Sequence, residues 1–336
     1  MYRKTIMFFM AMAICTAVAF AAGSKDSVAS GGATPIELKA YTFMNATSLA
    51  GKSLIRFAET VEKDSGGRIK VTVFHSGALG NDREGLESCR MGTLDIYMTG
   101  TGIYSGFYPY TKMFDLPYLF KDSKQAYDIV NGPIGDEVFA EMTKYNLVHL
   151  STGDSGMRHI STANKAVSNV NDVRGLKVRV PEIDTYVDVW KSWGAVVTPM
   201  PLSELYMALK TGVVSAQDNA PYHTYASKVY EALTHYSMIG YMWMGLTTVM
   251  NLQKYNTLPA DLQKVLKDAA KDMAAYTVMV IDEDNKAAFA EFRKQGIIIN
   301  ESPDMASFRQ NMDELYRKYE KEPWYKADII KKIRGN

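Results

Sequence analysis

The stretch SLAGKSLIRFAETVEKDSGGRIKVTVF, residues 48–74, changes its hydrophobic period part-way along. Leu54, Phe57, Ala58 and Val61 recur at i, i+3, i+4 and i+7, which places them on one face of a helix. Gly66 and Gly67 follow, where glycine ends a helix most easily. RIKVTVF (68–74) then alternates as a strand does. Working outward, IELKAYTF (36–43) has period two, DREGLESCRMG (82–92) reads as a short helix stopping at Gly92, and LDIYMT (94–99) as a third strand. This βαβαβ order predicts an α/β fold with a mostly parallel sheet and helices on both faces.

The run from Gly100 to Phe120, rich in glycine and aromatics, has no clear period. It reads as a long connection at a strand's carboxyl end, where ligands of open α/β sheets sit. Helical stretches at 123–130 and 135–145 precede a strand, LVHLS (147–151). A second alternating block follows: strand LKVRVP (176–181), helix 184–193, strand AVVTPM (195–200), helix 203–210 and strand VVSAQ (213–217). Ser203 is the expected cap of that last helix and Gly212 its stop. Helical character then runs from about Ala260 to Gln295. At about 1.5 Å per residue such a helix outreaches one domain, so it either spans two or is broken near VIDEDN (280–285). From Asp304 onward the tail reads as amphipathic surface helix.

A chain of 336 residues with 47% hydrophobic and 22% charged residues is long enough for two cores and short for three. Its beginning decides the compartment. Arg3 and Lys4 head an apolar run, Thr5 to Phe20, and Ala19-Phe20-Ala21 fits a cleavage site, so 1–21 is expected to be a signal peptide and 22–34 a flexible linker. Sixteen apolar residues fall short of the roughly 20 that span a bilayer. Removing 1–21 takes the formal net charge from +1 to −1, which implies no nucleic-acid partner. It also removes Cys15 and leaves Cys89 alone, so no disulfide forms within the mature chain.

The five histidines form neither HExxH nor HxxxH, and no CxxC exists, so a metal site has no sequence support. Glycine-rich phosphate loops and a GxSxG elbow are absent as well, which argues against an enzyme and against a cofactor. Binding remains. Arg179 lies with Lys177 opposite Leu176, Val178 and Val180, at a strand end where Pro181 breaks the ladder. From pattern alone it is either a surface charge or a guanidinium facing a crevice, where it could hold a carboxylate through two parallel hydrogen bonds.

RFAETVEKDSGGRIKVTVFHSGALGNDREGLESCRMGTLDIYMTG, FDLPYLF, VRGLKVRVPE and TPMPLSELYMALKTGVVSAQDN, in that order, resemble the extracytoplasmic solute receptors of tripartite ATP-independent periplasmic (TRAP) transporters, the DctP type. The resemblance covers about residues 36 to 300. It implies a periplasmic-binding-protein-like fold: two α/β lobes closing on a small organic acid, bridged by a long helix, with delivery to TRAP permease subunits in the membrane. The lobes would be mainly 35–155 and 156–250, with 251–336 packing on both. It implies that Arg179 pairs with the ligand carboxylate. Arg158 in SGMRHIST matches a second family arginine, though a brace against the hinge fits it too, and Asn219 matches the asparagine of a Q-[DE]-N motif. Asn45 matches the asparagine after the first strand; Asp82 opens a helix that faces the crevice or is simply capped. Leu202 stands where many members have phenylalanine, and Tyr222, His223 and Trp243 bring bulk toward the cleft. Trp243 with Met242 and Met244 reads more readily as ordinary core than as pocket lining. Receptors for an ATP-driven importer or a sensor kinase, and a secreted enzyme on the same fold, are the rival readings.

Overall fold

The computed structural model describes residues 34–310 and 312–335, so the expected signal peptide and all but the last residue of the linker lie outside the described residues. The strands are β1 (Ile36–Tyr41), β2 (Ile69–Phe74), β3 (Ile96–Gly100), β4 (Leu147–Thr162), β5 (Lys177–Val180), β6 (Val196–Pro199), β7 (Ala216–Asn219), β8 (His235–Asn251) and β9 (Ile298–Asn300). They form one sheet in the order β2-β1-β3-β8-β4-β7-β5-β6, with β9 against β8. The helices are α1 (Leu49–Asp64), α2 (Asp82–Met91), α3 (Ser123–Val130), α4 (Pro133–Ala140), α5 (Asp184–Ser192), α6 (Leu202–Lys210), α7 (Pro221–Ala226), α8 (Leu252–Asn256), α9 (Ala260–Lys294), α10 (Met305–Arg309), α11 (Met312–Tyr319) and α12 (Ala327–Arg334). Among the described residues no helix is long and apolar enough to cross a membrane.

Local chemistry sets the helix ends. Ser48 caps α1 by accepting from Gly51 N at 3.0 Å. Asn81 and Glu84 form a reciprocal capping box on α2, and Gly92 ends it at φ 82°. Ser203 is not a cap: α6 starts one residue earlier, behind Pro201, which offers no side-chain cap bond but whose fixed φ suits a helix entry. Gly212, at φ 73°, does provide the left-handed stop. The helix expected at 135–145 is α4 followed by a tighter 3-10 turn, Glu141–Tyr145. The connection after β3 is wound into two 3-10 segments, Thr101–Gly106 and Pro109–Asp115.

The sheet is mixed rather than mostly parallel. β1, β2 and β3 are parallel to one another, as are β5, β6 and β7, but the two blocks are joined by the antiparallel pair β4 and β8. β4 has 16 residues and β8 has 17, nearly all buried, so neither shows the alternation that marks a one-sided strand. Only the start of β4 was visible in the sequence. The β4–β8 register shifts between His149 and Ser151, Asp154 and Met157, and Arg158 and Ile160. Gly156, at φ 80°, sits in the second of these bulges, where an L side chain would be strained.

α9 is unbroken over 35 residues. Leu262, Leu266, Ala270 and Met273 pack with Leu38, Leu54 and Phe57 under the first block, whereas Ala288 and Phe292 pack with Leu205, Leu209 and Tyr236 under the second. The apolar faces of the two blocks are thus closed by opposite ends of one rod.

Candidate ligand-binding site

Because the parallel strands of both blocks aim their carboxyl ends at the middle of the molecule, a cleft opens there. It holds about 650 Å³ of space, its mouth included, and is lined by Thr99 and Gly100 of β3, Arg158 of β4, Arg179 of β5 and Asn219 of β7, with Tyr222 and His223 from α7. Gly102 lets the chain pass close to its neighbours: a Cβ there would stand 2.4 Å from Asp115 Oδ2 and 2.7 Å from Ile183 Cδ1.

Arg179 is 3% exposed and lines both this cleft and the outer groove that continues from it. Its Nε and Nη2 donate to the carbonyl of Met200 at 3.0 and 2.7 Å. Two of the five guanidinium N–H groups are spent there. Burial lowers its pKa to about 10, with Arg158 adding to the effect and Asp218 and Asp82 opposing it, so it is cationic at neutral pH.

Arg158 is also in the wall, 3% exposed, but it is committed. Its Nε donates to Asp218 Oδ2 at 2.7 Å and its Nη2 to the Asp218 carbonyl at 2.6 Å, while the guanidinium lies 4.8 Å from the Tyr186 ring centre. Tyr241 donates its hydroxyl to the same Oδ2. Burial works against the charge of Arg158, yet Asp218, with Tyr186 and Tyr241 beside it, holds the pKa above the ordinary arginine value. The pair is fully enclosed and close to neutral as a unit.

Asp82 does not cap α2; Asn81 does. Its carboxyl is turned inward, accepting from Thr99 Oγ1 at 2.6 Å and Tyr97 OH at 3.0 Å, and it lines the cleft. Burial raises its pKa, against the pull of those hydrogen bonds and of Arg179. Asn219 donates to Gln217 Oε1 at 2.9 Å, and Gln217 is itself held by Ser161 and Thr224, so the Q-D-N run orients one amide toward the cleft. Tyr222 shares a hydrogen bond with Ser155, and Leu202 completes the wall.

Two expected residues are elsewhere. Asn45 does not line the cleft: its Oδ1 accepts from Thr47 and Ser48, tying down the turn before α1, and its Nδ2 donates to Ala226 O at 3.0 Å. Trp243 is 1% exposed in the core, its Nε1 donating to Asp154 Oδ1 at 2.8 Å and its ring lying against Phe120. A tryptophan on β8 points to the face opposite its neighbours, so Met244 reaches the cleft and Trp243 does not. Sequence reasoning missed Thr99, Tyr186 and Met244, which line the cleft, and the buried Asp115 behind Gly102. The Gly100–Phe120 connection was the only signal near Asp115, and Met244 was read with Trp243 as core. Among the described residues no cluster of His, Cys, Asp and Glu is arranged to hold a metal ion.

A central cleft between two α/β blocks, walled by buried arginines and clasped by one long helix, defines a solute receptor of the periplasmic-binding class. The chain belongs to the family described as bacterial extracellular solute-binding protein, family 7, the DctP family, whose pattern matches residues 41–322. A solute-binding protein of Verminephrobacter eiseniae is 32% identical over 272 residues, 81% of each chain. A TRAP periplasmic solute-binding protein from a Polaromonas species, solved with D-erythronate, is 29% identical with a TM-score of 0.86, over 89% of this chain and 98% of that one. Another, from a Bradyrhizobium species in complex with D-galacturonate, is 30% identical with a TM-score of 0.85, over 89% of this chain and 100% of that one.

Proposed function

We propose that the protein captures a small organic acid in the cleft, with Arg179 holding its carboxylate, and passes it unchanged to the membrane subunits of a TRAP transporter. One observation carries the reading. Of the two buried arginines, Arg158 is neutralised by Asp218, whereas Arg179 is held by a carbonyl and keeps its charge beside open space. A ligand carboxylate supplies the missing anion. The acids in the Polaromonas and Bradyrhizobium structures support the same class of solute.

In this reading residues 35–155 and 156–250 form most of two lobes, 251–336 clasps both, and 1–21 directs export and is removed. Arg158, Asn219, Asp82, Tyr222 and Leu202 complete the wall around the acid. Closure brings Arg179 and Asn219 to a ligand that also meets Asp82 and Thr99, so the acid biases the closed state by touching both sides.

Mass spectrometry of the small molecule carried through purification, followed by a thermal-shift screen of organic acids, tests the proposal. A binder at about 100 times its dissociation constant should add about 2.7 kcal/mol of stability. A screen in which only neutral solutes raise the melting temperature, or incubation in which the acid is converted to a product, overturns it.

A further inference from the structure

We propose that His223 is a specificity-determining residue that receives an uncharged hydroxyl of the ligand, so that the cleft selects a hydroxylated monocarboxylate over a dicarboxylate. The inference rests on the reading that Arg179 holds the ligand carboxylate.

His223 stands in the first turn of α7, in the same wall as Arg158, Arg179 and Asn219. Its Nδ1 is enclosed and has no hydrogen-bond partner among the described residues, whereas its neighbour Tyr222 spends its hydroxyl on Ser155. A buried ring nitrogen without a partner is costly, which makes a bound solute its natural complement. A hydroxyl both donates and accepts, so it satisfies either tautomer of a neutral imidazole.

Charge placement disfavours a second carboxylate. The Asp218 carboxylate already closes off Arg158, and Asp82 adds a buried carboxyl to the wall. Outward from Arg179 the groove is bordered by Glu87, Glu182 and Asp184 against Arg83, with Lys112 pairing Asp184 at 2.9 Å. A second ligand carboxylate would therefore meet acids on that side. The imidazole is poorly suited to be the second cation, because burial of the ring, and then the charges of Arg158 and Arg179, hold its pKa below the ordinary histidine value.

Calorimetry with the full mature protein settles the matter, using D-erythronate, D-gluconate and D-galacturonate against succinate and L-malate. At least one of the three hydroxylated monocarboxylates should bind at least tenfold more tightly than either dicarboxylate. His223→Phe, shown folded by its melting curve, should weaken that ligand at least tenfold, and H223N, which keeps a polar atom near the Nδ1 position, should recover part of the loss. The proposal is overturned by a dicarboxylate binding as tightly as the best monocarboxylate, by unchanged affinity in His223→Phe, or by a panel in which none of the three binds. Dicarboxylate binding that disappears in Arg179→Ala would sink this inference and leave the carboxylate-receptor reading standing, whereas binding indifferent to Arg179→Ala would sink the reading itself.

Discussion

Asp218 grips Arg158 twice, once through its carboxylate Oδ2 at 2.7 Å and once through its own main-chain carbonyl at 2.6 Å. The two contacts fix the guanidinium plane against Tyr186 and cancel its charge within a fully buried unit. Arg158 is therefore part of the cleft's frame, and the free charge of the wall belongs to Arg179.

Removing that charge should be felt in binding more than in folding. Truncating one partner of a buried charged pair costs roughly 2 to 5 kcal/mol, so Arg179→Ala should weaken the acid at least about thirty-fold in calorimetry. Arg179→Lys should recover little, since an ammonium cannot span Met200 O and a carboxylate with one planar fork.

Asp218→Asn should do the reverse. It leaves Arg158 charged and uncompensated in the interior, a change that typically costs about 3 to 5 kcal/mol, read as a lowered midpoint in urea denaturation. The same substitution frees a second cation, so any preference for monocarboxylates over dicarboxylates should narrow.

Trp243→Phe should separate core from cleft. It deletes the bond to Asp154 Oδ1, which keeps its contact from Gly156 N at 2.8 Å, and should lower stability by about 1 to 2 kcal/mol. Affinity should stay within twofold; a tenfold loss would place the indole at the ligand after all.

The pH dependence of stability has two sides. Burial raises Asp115 to about 8, against Arg158, while an unfolded aspartate ionises near pH 3.9. The folded state thus retains a proton that the unfolded chain releases, and this group's contribution falls as pH rises from about 4 to 8. His149, His159 and His223 are pushed down to about 3, mainly by burial, so between about pH 6.5 and 3 the unfolded chain takes up protons that the folded one refuses. Stability through these groups falls as pH drops across that window. Melting temperatures should therefore decline below about pH 6.5, where the three histidines outweigh Asp115, and again above it toward pH 8, and Asp115→Asn should flatten the alkaline decline while steepening the acid one.

The bond from Asn45 Nδ2 to Ala226 O joins the turn after β1 to the end of α7. Asn45→Ala should speed ligand release several-fold in stopped-flow measurements if it helps hold the closed form, with little change in association rate.

What could be read in advance followed the physics of patterning. One-sided elements announce themselves by period, so α1, α2, β1 and β2 were visible, as was the length of α9. β8 was not, nor was β4 beyond its start at 147–151, since strands buried on both faces lose their alternation, and β4 carries Asp154, Gly156 and Arg158 where a strand pattern expects apolar residues. Pattern alone left Arg179, two residues on from Lys177 in the same strand, as either a surface charge or a cleft guanidinium, and only the family resemblance favoured the second; its burial came with the fold. The commitment of Arg158 was not, because its partner Asp218 lies 60 residues away and only the fold brings them together.

The rod formed by α9 also bears on the order in which the chain can mature. One face of each block waits for residues that emerge from the ribosome only after position 260, so that face stays uncovered while the first three-quarters of the polypeptide is being made. The last apolar face of each half is thereby completed by one late segment.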